Sequence, residues 1–471
     1  MKGQMSTAER IGTDNLRGLW IVWHDYAARA NGRWFSGASI PGALANGTPF
    51  CHANLNFMID DQQVPRPHFG ADAGDFVAMP DMETYAPLPY HPGIGRVLSY
   101  LCTEAGERWE GCPRTRLRDM SDALAHCGFS ARAAFEPEFT LFRTMEDRNY
   151  TPADAFTMYS VARMEAEHDL LDEIATTLAQ QGIHVVGMGA EYGAGQLEIN
   201  LHHEYPVKAA DDLLTFRETV KALARRRGLI ASFMPKPYDH LAGNGVHVHL
   251  SLWDTEGSSE FAVRSSENED IGPFELRTPN RELPKDRSAG DGPLGLSAAM
   301  TRFIAGVLVH APALCGVFAP TVNSYKRLLP GSWAPAHIGY AADNRAALVR
   351  VPGASRPRME FRAGDHTAHP HLALAALIAA GIDGLDRQLD PGPPATGDLG
   401  HLPDNALAAQ GVRLLPRTAH EALDALEADP VVMAALGPIC GPEMLRIRRE
   451  ELARYDRHVS DWERTVYLER T

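Results

Sequence analysis

A chain of 471 residues, 44% hydrophobic and 22% charged, has the composition of a soluble globular protein with room for a large core and more than one domain. Its 60 acidic against 45 basic residues leave a net charge of −15, which excludes general affinity for nucleic acid or an anionic membrane surface. Six cysteines without a CxxC pair read as reduced thiols, no apolar run of about 18 residues occurs, and the N-terminus lacks an apolar signal core, so the expected compartment is the cytoplasm.

Residues 16–112 carry short strand-like runs, LRGLWIVWHDY and DFVAMPD among them, broken by Gly and Pro without a long helical period. They predict a small strand-rich domain over 1–112, followed by an α+β domain over 113–471. In that second domain a helix runs to about Cys127, then come the strand AAFEPEFTLF, a helix through MEAEHDLLDEIATTLAQQG, and the strands HVVGMGAEY and GQLEINLHH. A helix from DDLLTFRETVKALARRRG, the strand GVHVHLSLW and one long apolar helix, GLSAAMTRFIAGVLVHAPALCGVF, follow. Residues 254–291, rich in Ser, Glu, Asn and Pro, read as a polar surface insertion.

The chemistry sits on the strands. Residues i and i+2 of a strand share a face, so Glu136 with Glu138, His247 with His249, and Glu360 with Arg362 each project as a pair, and Glu191 and Glu198 flank a turn nearby. Apolar neighbours, Phe135 and Phe139, Val246 and Leu250, Met359 and Phe361, mark these as polar pairs on buried strands. Carboxylates are costly to bury unless paired or bound to a cation, which makes a hard divalent metal, Mg²⁺ or Mn²⁺, the natural partner. Taken singly, a Glu pair on a strand is more often a salt-bridged surface pair and HVH a satisfied core pair; their ordered recurrence favours the metal.

Between Lys326 and Arg362 stand Lys326, Arg327, Arg345, Arg350, Arg356, Arg358 and Arg362 against only Asp343 and Glu360. Guanidinium forks bind carboxylate and phosphate, and phosphoryl transfer is catalysed largely by positioning, metal and Arg neutralisation. No GxxxxGK[ST] occurs, so a P-loop is excluded.

The ordered motifs E-P-E, the Glu191 to Glu198 turn with its Gly-Gln, GNGVHVHLSLW, NSYKRLLPG, DNRAALVRVP and RMEFRAGDHTAHPHLALAAL resemble glutamine synthetase and its gamma-glutamylamide synthetase relatives, from about residue 95 to 385. WFSGASIPG near the N-terminus and a final helix, WERTVYLER, extend the likeness. The resemblance implies an N-terminal beta-grasp domain, then a catalytic domain with a curved antiparallel sheet and helices, in rings that stack into a dodecamer with sites between neighbours. It implies one metal held by Glu138, Glu191 and Glu198 and another by Glu136, His247 and Glu360. His249, Ser251, Arg350, Arg356 and Arg358 match nucleotide and phosphate contacts, Arg345 the residue that steadies the transferring phosphoryl group, and Arg327 and Arg362, with Gly243, the grip on glutamate. ATP would phosphorylate a side-chain carboxylate and an amine would displace the phosphate.

Departures from the family pattern bear on the amine. Ammonia-using members carry an acid in an FDGSS-like loop and a Glu in the PG-x-E-AP loop; here those positions read Ser36 and Trp333. An ammonium ion loses both electrostatic partners, whereas a neutral aromatic amine such as an aniline loses nothing and could stack on the indole. Trp333 reads equally as a loop-packing residue. Ala242 stands where relatives carry an Asn, so glutamate is the favoured acid rather than a fixed one. The alternatives are an ordinary glutamine synthetase, an alkylamine, ethanolamine or polyamine ligase, and a non-catalytic regulatory homologue. The last is least favoured because the ligand and Arg set is complete.

Overall fold

In the computed structural model, residues 16–144, 150–155, 158–255, 285–353 and 358–470 are described. The N-terminal strand runs form one mixed sheet of β1 (Gly18–His24), β2 (Ala30–Ser36), β3 (Thr48–Cys51), β4 (Asp75–Pro87) and β5 (Ile94–Cys102). Their order is β2-β1-β5-β4-β3, with β1 parallel to β5. Leu19, Ile21 and Trp23 of β1, two residues apart, are buried on one face, as the period of a half-covered strand requires.

The second sheet holds ten strands. These are β6 (Phe129–Thr144), β7 (Tyr150–Pro152), β8 (Val185–Ala190), β9 (Gln196–Leu201), β10 (Leu229–Ser232), β11 (Val246–Asp254), β12 (His337–Ala342), β13 (Ala347–Val351), β14 (Met359–Phe361) and β15 (Arg413–Leu414). The order is β15-β12-β13-β14-β11-β6-β9-β8, with β7 and β10 paired to β6 beside this path. Every pairing is antiparallel except β12 with β13.

Helices cover the apolar face of this sheet. Pro113–His126, Pro206–Arg226 and Pro370–Asp386 each begin with a proline, where a missing N–H costs nothing. Phe139 of β6 meets Phe216 and Phe233 at centroid distances of 6.1 and 5.5 Å, and Phe361 of β14 meets Phe318 at 4.6 Å. The carboxylates that alternate with these phenylalanines must therefore face the other side.

Two expected helices are broken. The long apolar run divides into Ala298–Val309 and Ala311–Phe318, bent by 75°, because Pro312 has no N–H to give and its ring crowds the preceding turn. His310 sits at the bend and ties it down, its Nδ1 2.6 Å from Asp429 Oδ2 and its Nε2 3.0 Å from Asp383 Oδ2. The MEAEHDLL run likewise divides into Val161–Ala166 and His168–Gln180. Of the expected insertion, residues 256–284 lie outside the described residues, but its ends are tied beside β11: Asp254 N donates to Lys285 O and Arg287 N to Leu252 O.

Buried guanidinium groups join the two sheets. Arg114 pairs with Asp81 of β4 and Asp211, at 2.9 and 2.7 Å. Arg217 donates to His366 O at 2.9 Å and to Ala28 O, while Arg96 of β5 donates to Thr215 Oγ1 at 2.6 Å.

Candidate active site

Register across the central strands assembles the polar pairs. Glu138 of β6 lies opposite Glu198 of β9, Glu136 opposite His247 of β11, His249 opposite Glu360 of β14, and Glu360 opposite Arg350 of β13. Antiparallel neighbours in direct register put their side chains within contact range, so five adjacent strands present one continuous band.

That band floors a cavity of about 560 Å³. Glu136, Glu138, Glu191, Glu198, His247 and Glu360 line it together with Gly243, Arg327, Arg345, Arg350, Arg362 and Trp333. His247 is the hub: its Nδ1 lies 3.7 Å from both Glu136 Oε2 and Glu360 Oε1, and its Nε2 lies 3.9 Å from Glu138 Oε1. Two donor groups have all their ligand atoms within 4.8 Å of one another, Glu136 with His247 and Glu360, and Glu138 with Glu198 and His247. Glu191 lines the same cavity, and its ligand atoms lie outside both of these groups, while His247 is common to the two.

The electrostatics show what such a band lacks. Burial, and then the neighbouring Glu138, push Glu198 up to about 8 and Glu191 up to about 7. Burial also works against Glu136, yet His247 and His249 outweigh it and hold that carboxyl well below the usual range. Glu360 is ionised despite burial because Arg362 and His247 face it; Arg350 Nη1 donates to it at 2.8 Å and Arg362 Nη1 donates to its other oxygen. A band in which burial and mutual repulsion disfavour the charged form of two carboxyls fits a divalent cation, and a donor set of carboxylate oxygens with one imidazole fits Mg²⁺ or Mn²⁺.

The supporting contacts are mostly backbone. Glu138 Oε2 accepts from Gly245 N at 2.8 Å and from Gln196 Nε2 at 3.1 Å. A Cβ on Gly245 would lie 2.5 Å from Arg327 Nη2, so any side chain there would displace that guanidinium. Arg327 itself donates to Ala363 O and Arg362 O at 3.2 and 3.1 Å, and Arg362 Nε donates to Arg345 O at 3.0 Å. The arginines thus brace one another along the wall facing the carboxylates.

Other expected residues lie apart from the cavity lining. His249 Nε2 is 2.8 Å from Glu136, and its Nδ1 accepts from Arg358 Nε at 3.0 Å, so these two continue the band beyond the cavity. Ser251, two residues further along β11, accepts from Trp253 Nε1 at 2.8 Å. Arg356 lies outside the described residues. Ser36 is exposed at the end of β2 and does not line the cavity within one chain.

Several residues here went unread in the sequence. Arg163, fully buried, donates from Nη1 to the carbonyls of Glu191, Gly193 and Gln196 at 3.0 to 3.1 Å and so supports the whole turn that carries Glu191. Tyr159 and Tyr192 line the cavity beside Trp333. Only Tyr192 had a visible signal, an aromatic residue directly after a candidate ligand in a glycine-rich turn.

The sequence matches the family described as glutamine synthetase, catalytic domain, over residues 110–272 and 287–467. This chain belongs to the glutamine synthetase family. It is 36% identical to a glutamine synthetase of Halobacterium salinarum over 83% of this chain and 82% of that protein. It is equally 36% identical to a glutamate–methylamine ligase of Methyloversatilis universalis, over 84% and 85%. Among solved structures it superposes on an ADP complex of a protein named GmaS with a TM-score of 0.83 at 28% identity, covering 99% of this chain and all of that one. A structure of apo GmaS without ligand gives 0.82 at 28% identity, over 98% and 99%. The protein is therefore an α+β ligase of the glutamine synthetase family, whose members act on small molecules with ATP and Mg²⁺ or Mn²⁺.

Proposed function

We propose that this chain phosphorylates the γ-carboxylate of L-glutamate with ATP and couples it to an amine other than ammonia, an aromatic or apolar one by preference. The observation that carries the reading is Trp333, which lines the cavity at the position where ammonia-using relatives place a glutamate. Ammonia is a cation at neutral pH, and an indole with a serine offers it neither charge nor base. An aniline is neutral and needs neither.

In the reaction, a γ-carboxylate oxygen bonds to the terminal phosphorus and ADP leaves. The amine nitrogen then bonds to the γ-carbon, the carbon–oxygen bond to phosphate breaks, and the proton lost from nitrogen leaves on the departing phosphate. Arg327 and Arg362 grip the carboxylates of glutamate, with Gly243 closing the backbone side. Arg345 steadies the transferring phosphoryl group, while His249, Ser251, Arg350, Arg356 and Arg358 hold the nucleotide. Glu136, Glu138, Glu191, Glu198, His247 and Glu360 would hold divalent ions, which supply neutralisation of the phosphate charge when bound. Self-association into a ring, the family arrangement, would bring Ser36 of a neighbour to the cavity mouth. The ADP complex of the structural relative supports a nucleotide site in this fold.

A second reading, ligation of methylamine or another alkylamine, is favoured by the identity to the glutamate–methylamine ligase. Phosphate release from ATP, with glutamate and Mg²⁺ or Mn²⁺, across ammonia, methylamine, isopropylamine, ethanolamine, putrescine and aniline separates the two. The largest kcat/KM is expected with aniline; a larger value with ammonia or putrescine would overturn the reading.

A further inference from the structure

At the mouth of the cavity three aromatic side chains from three separate stretches meet. Tyr192 and Trp333 lie nearly parallel, ring centroids 5.7 Å apart and planes 28° apart, and Tyr159 sets its ring edgewise against Tyr192 at 5.5 Å and 71°. All three line the cavity and are open to solvent, Tyr192 at 38%, Tyr159 at 54% and Trp333 at 61%. Apolar rings left that exposed beside a charged floor contribute little to the core, so their arrangement needs another reason.

The backbone shows that the arrangement is imposed. Tyr159 and Trp333 both adopt left-handed conformations, φ +51° and +62°, which cost a bulky residue on the order of 1 kcal/mol each. Among the described residues, the other six non-glycine positions with positive φ belong to no such cluster. The Tyr159 amide donates to Ala190 O at 3.2 Å, which fixes its loop to the turn that carries Glu191 and Tyr192. Trp333 is seated from the other side, its carbonyl 3.5 Å from Arg362 Nη2 and the preceding Ser332 Oγ donating to Arg327 O at 2.9 Å. The rings are thus tied to the carboxylate floor through Glu191 and to the arginine wall through Arg362.

The geometry chooses between two uses of aromatic rings. A box that recognises an alkylammonium turns several ring faces toward one point. Here the two large rings face each other, and Tyr159 presents its edge; the arrangement is a slab, not a box. A slab accepts a further flat ring stacked on its open face at offset-stacking distance. We propose that Tyr192 and Tyr159 are positioning residues that hold Trp333 as a stacking surface, selecting a primary aromatic amine by the flatness of its ring. This deepens the reading of the chain as an amide ligase and rests on it.

The test compares the full-length protein with its Tyr192→Leu and Tyr192→Phe variants in amine-dependent phosphate release, with aniline, cyclohexylamine and methylamine as nucleophiles. Cyclohexylamine matches aniline in size but is neither flat nor neutral. With Tyr192→Leu, KM for aniline is expected to rise at least tenfold more than KM for methylamine, at little change in kcat, and Tyr192→Phe is expected to restore the aniline value. Circular dichroism of the Leu variant checks that the fold survives; if it does not, the Trp333→Leu variant answers the same KM comparison. Equal losses for all three amines would overturn the slab. So would a wild-type preference for methylamine that Tyr192→Leu abolishes, since that is the behaviour of a cation box. Release with ammonia or methylamine but none with aniline leaves the ligase reading standing and overturns this one. Absence of release with every amine removes both.

Discussion

The floor of the cavity and its aromatic rim are built on opposite plans. The floor stands on strands: Glu136, Glu138, Glu198, His247 and Glu360 are fixed by register to adjacent backbones, and Glu138, His247 and Glu360 are buried. The rim stands on turns, with exposed rings and two residues in left-handed conformations. A charge that must be placed within a fraction of an ångström belongs on a rigid element, whereas a surface that chooses among amines can be altered loop by loop without disturbing the chemistry.

Substitutions in the two regions should therefore fail differently. The largest effect is expected from Glu360→Gln, which keeps an oxygen acceptor between Arg350 and Arg362 but removes the charge. Phosphate release should fall on the order of 10³-fold with every amine alike, while the gel-filtration elution volume stays that of the wild type. Retained activity would remove Glu360 from the ligand set. At the rim, Trp333→Glu should instead change the ranking, raising kcat/KM for ammonia about tenfold while lowering it for aniline; a uniform loss would place Trp333 with the floor.

The smallest effect is a control remote from both. Burial disfavours a charge on His310, but its hydrogen bonds to Asp429 and Asp383 outweigh this and raise its pKa. A raised folded pKa means that the stabilisation is fully present below the unfolded value near 6.5 and is lost as pH rises through the folded one. His310→Gln should lower Tm by on the order of 2 °C at pH 6, with the difference from wild type shrinking by pH 9. Amine ranking should not move. A Tm difference that is the same at both pH values would show that the clamp does not work through charge.

What could be read from the sequence follows the same division. The i, i+2 pairs EPE, HVH and EFR were legible because a strand's period is fixed, and their common face follows from it alone. Which pair meets which was not, because cross-strand register depends on the whole sheet; the sharing of His247 between two donor groups follows only from that register. The rim was half legible: Trp333 stood out as a departure, but Tyr159 joins it only through the tertiary fold. Arg163 carried no signal in the sequence, and only the turn that folds over it makes it a buried support. The break at Pro312 was written in the sequence, inside a run whose apolar character suggested one helix.

The guanidinium groups between the sheets carry a consequence for engineering. A truncated protein beginning near Pro113 would leave Arg217 without the Ala28 carbonyl, Arg114 without Asp81 and Thr215 without Arg96. Losing these contacts together, along with the apolar surface that the segment covers, would destabilise what remains. The leading segment is thus not a detachable cassette, and chimaeras that trade it between relatives must carry both sides of this seam together.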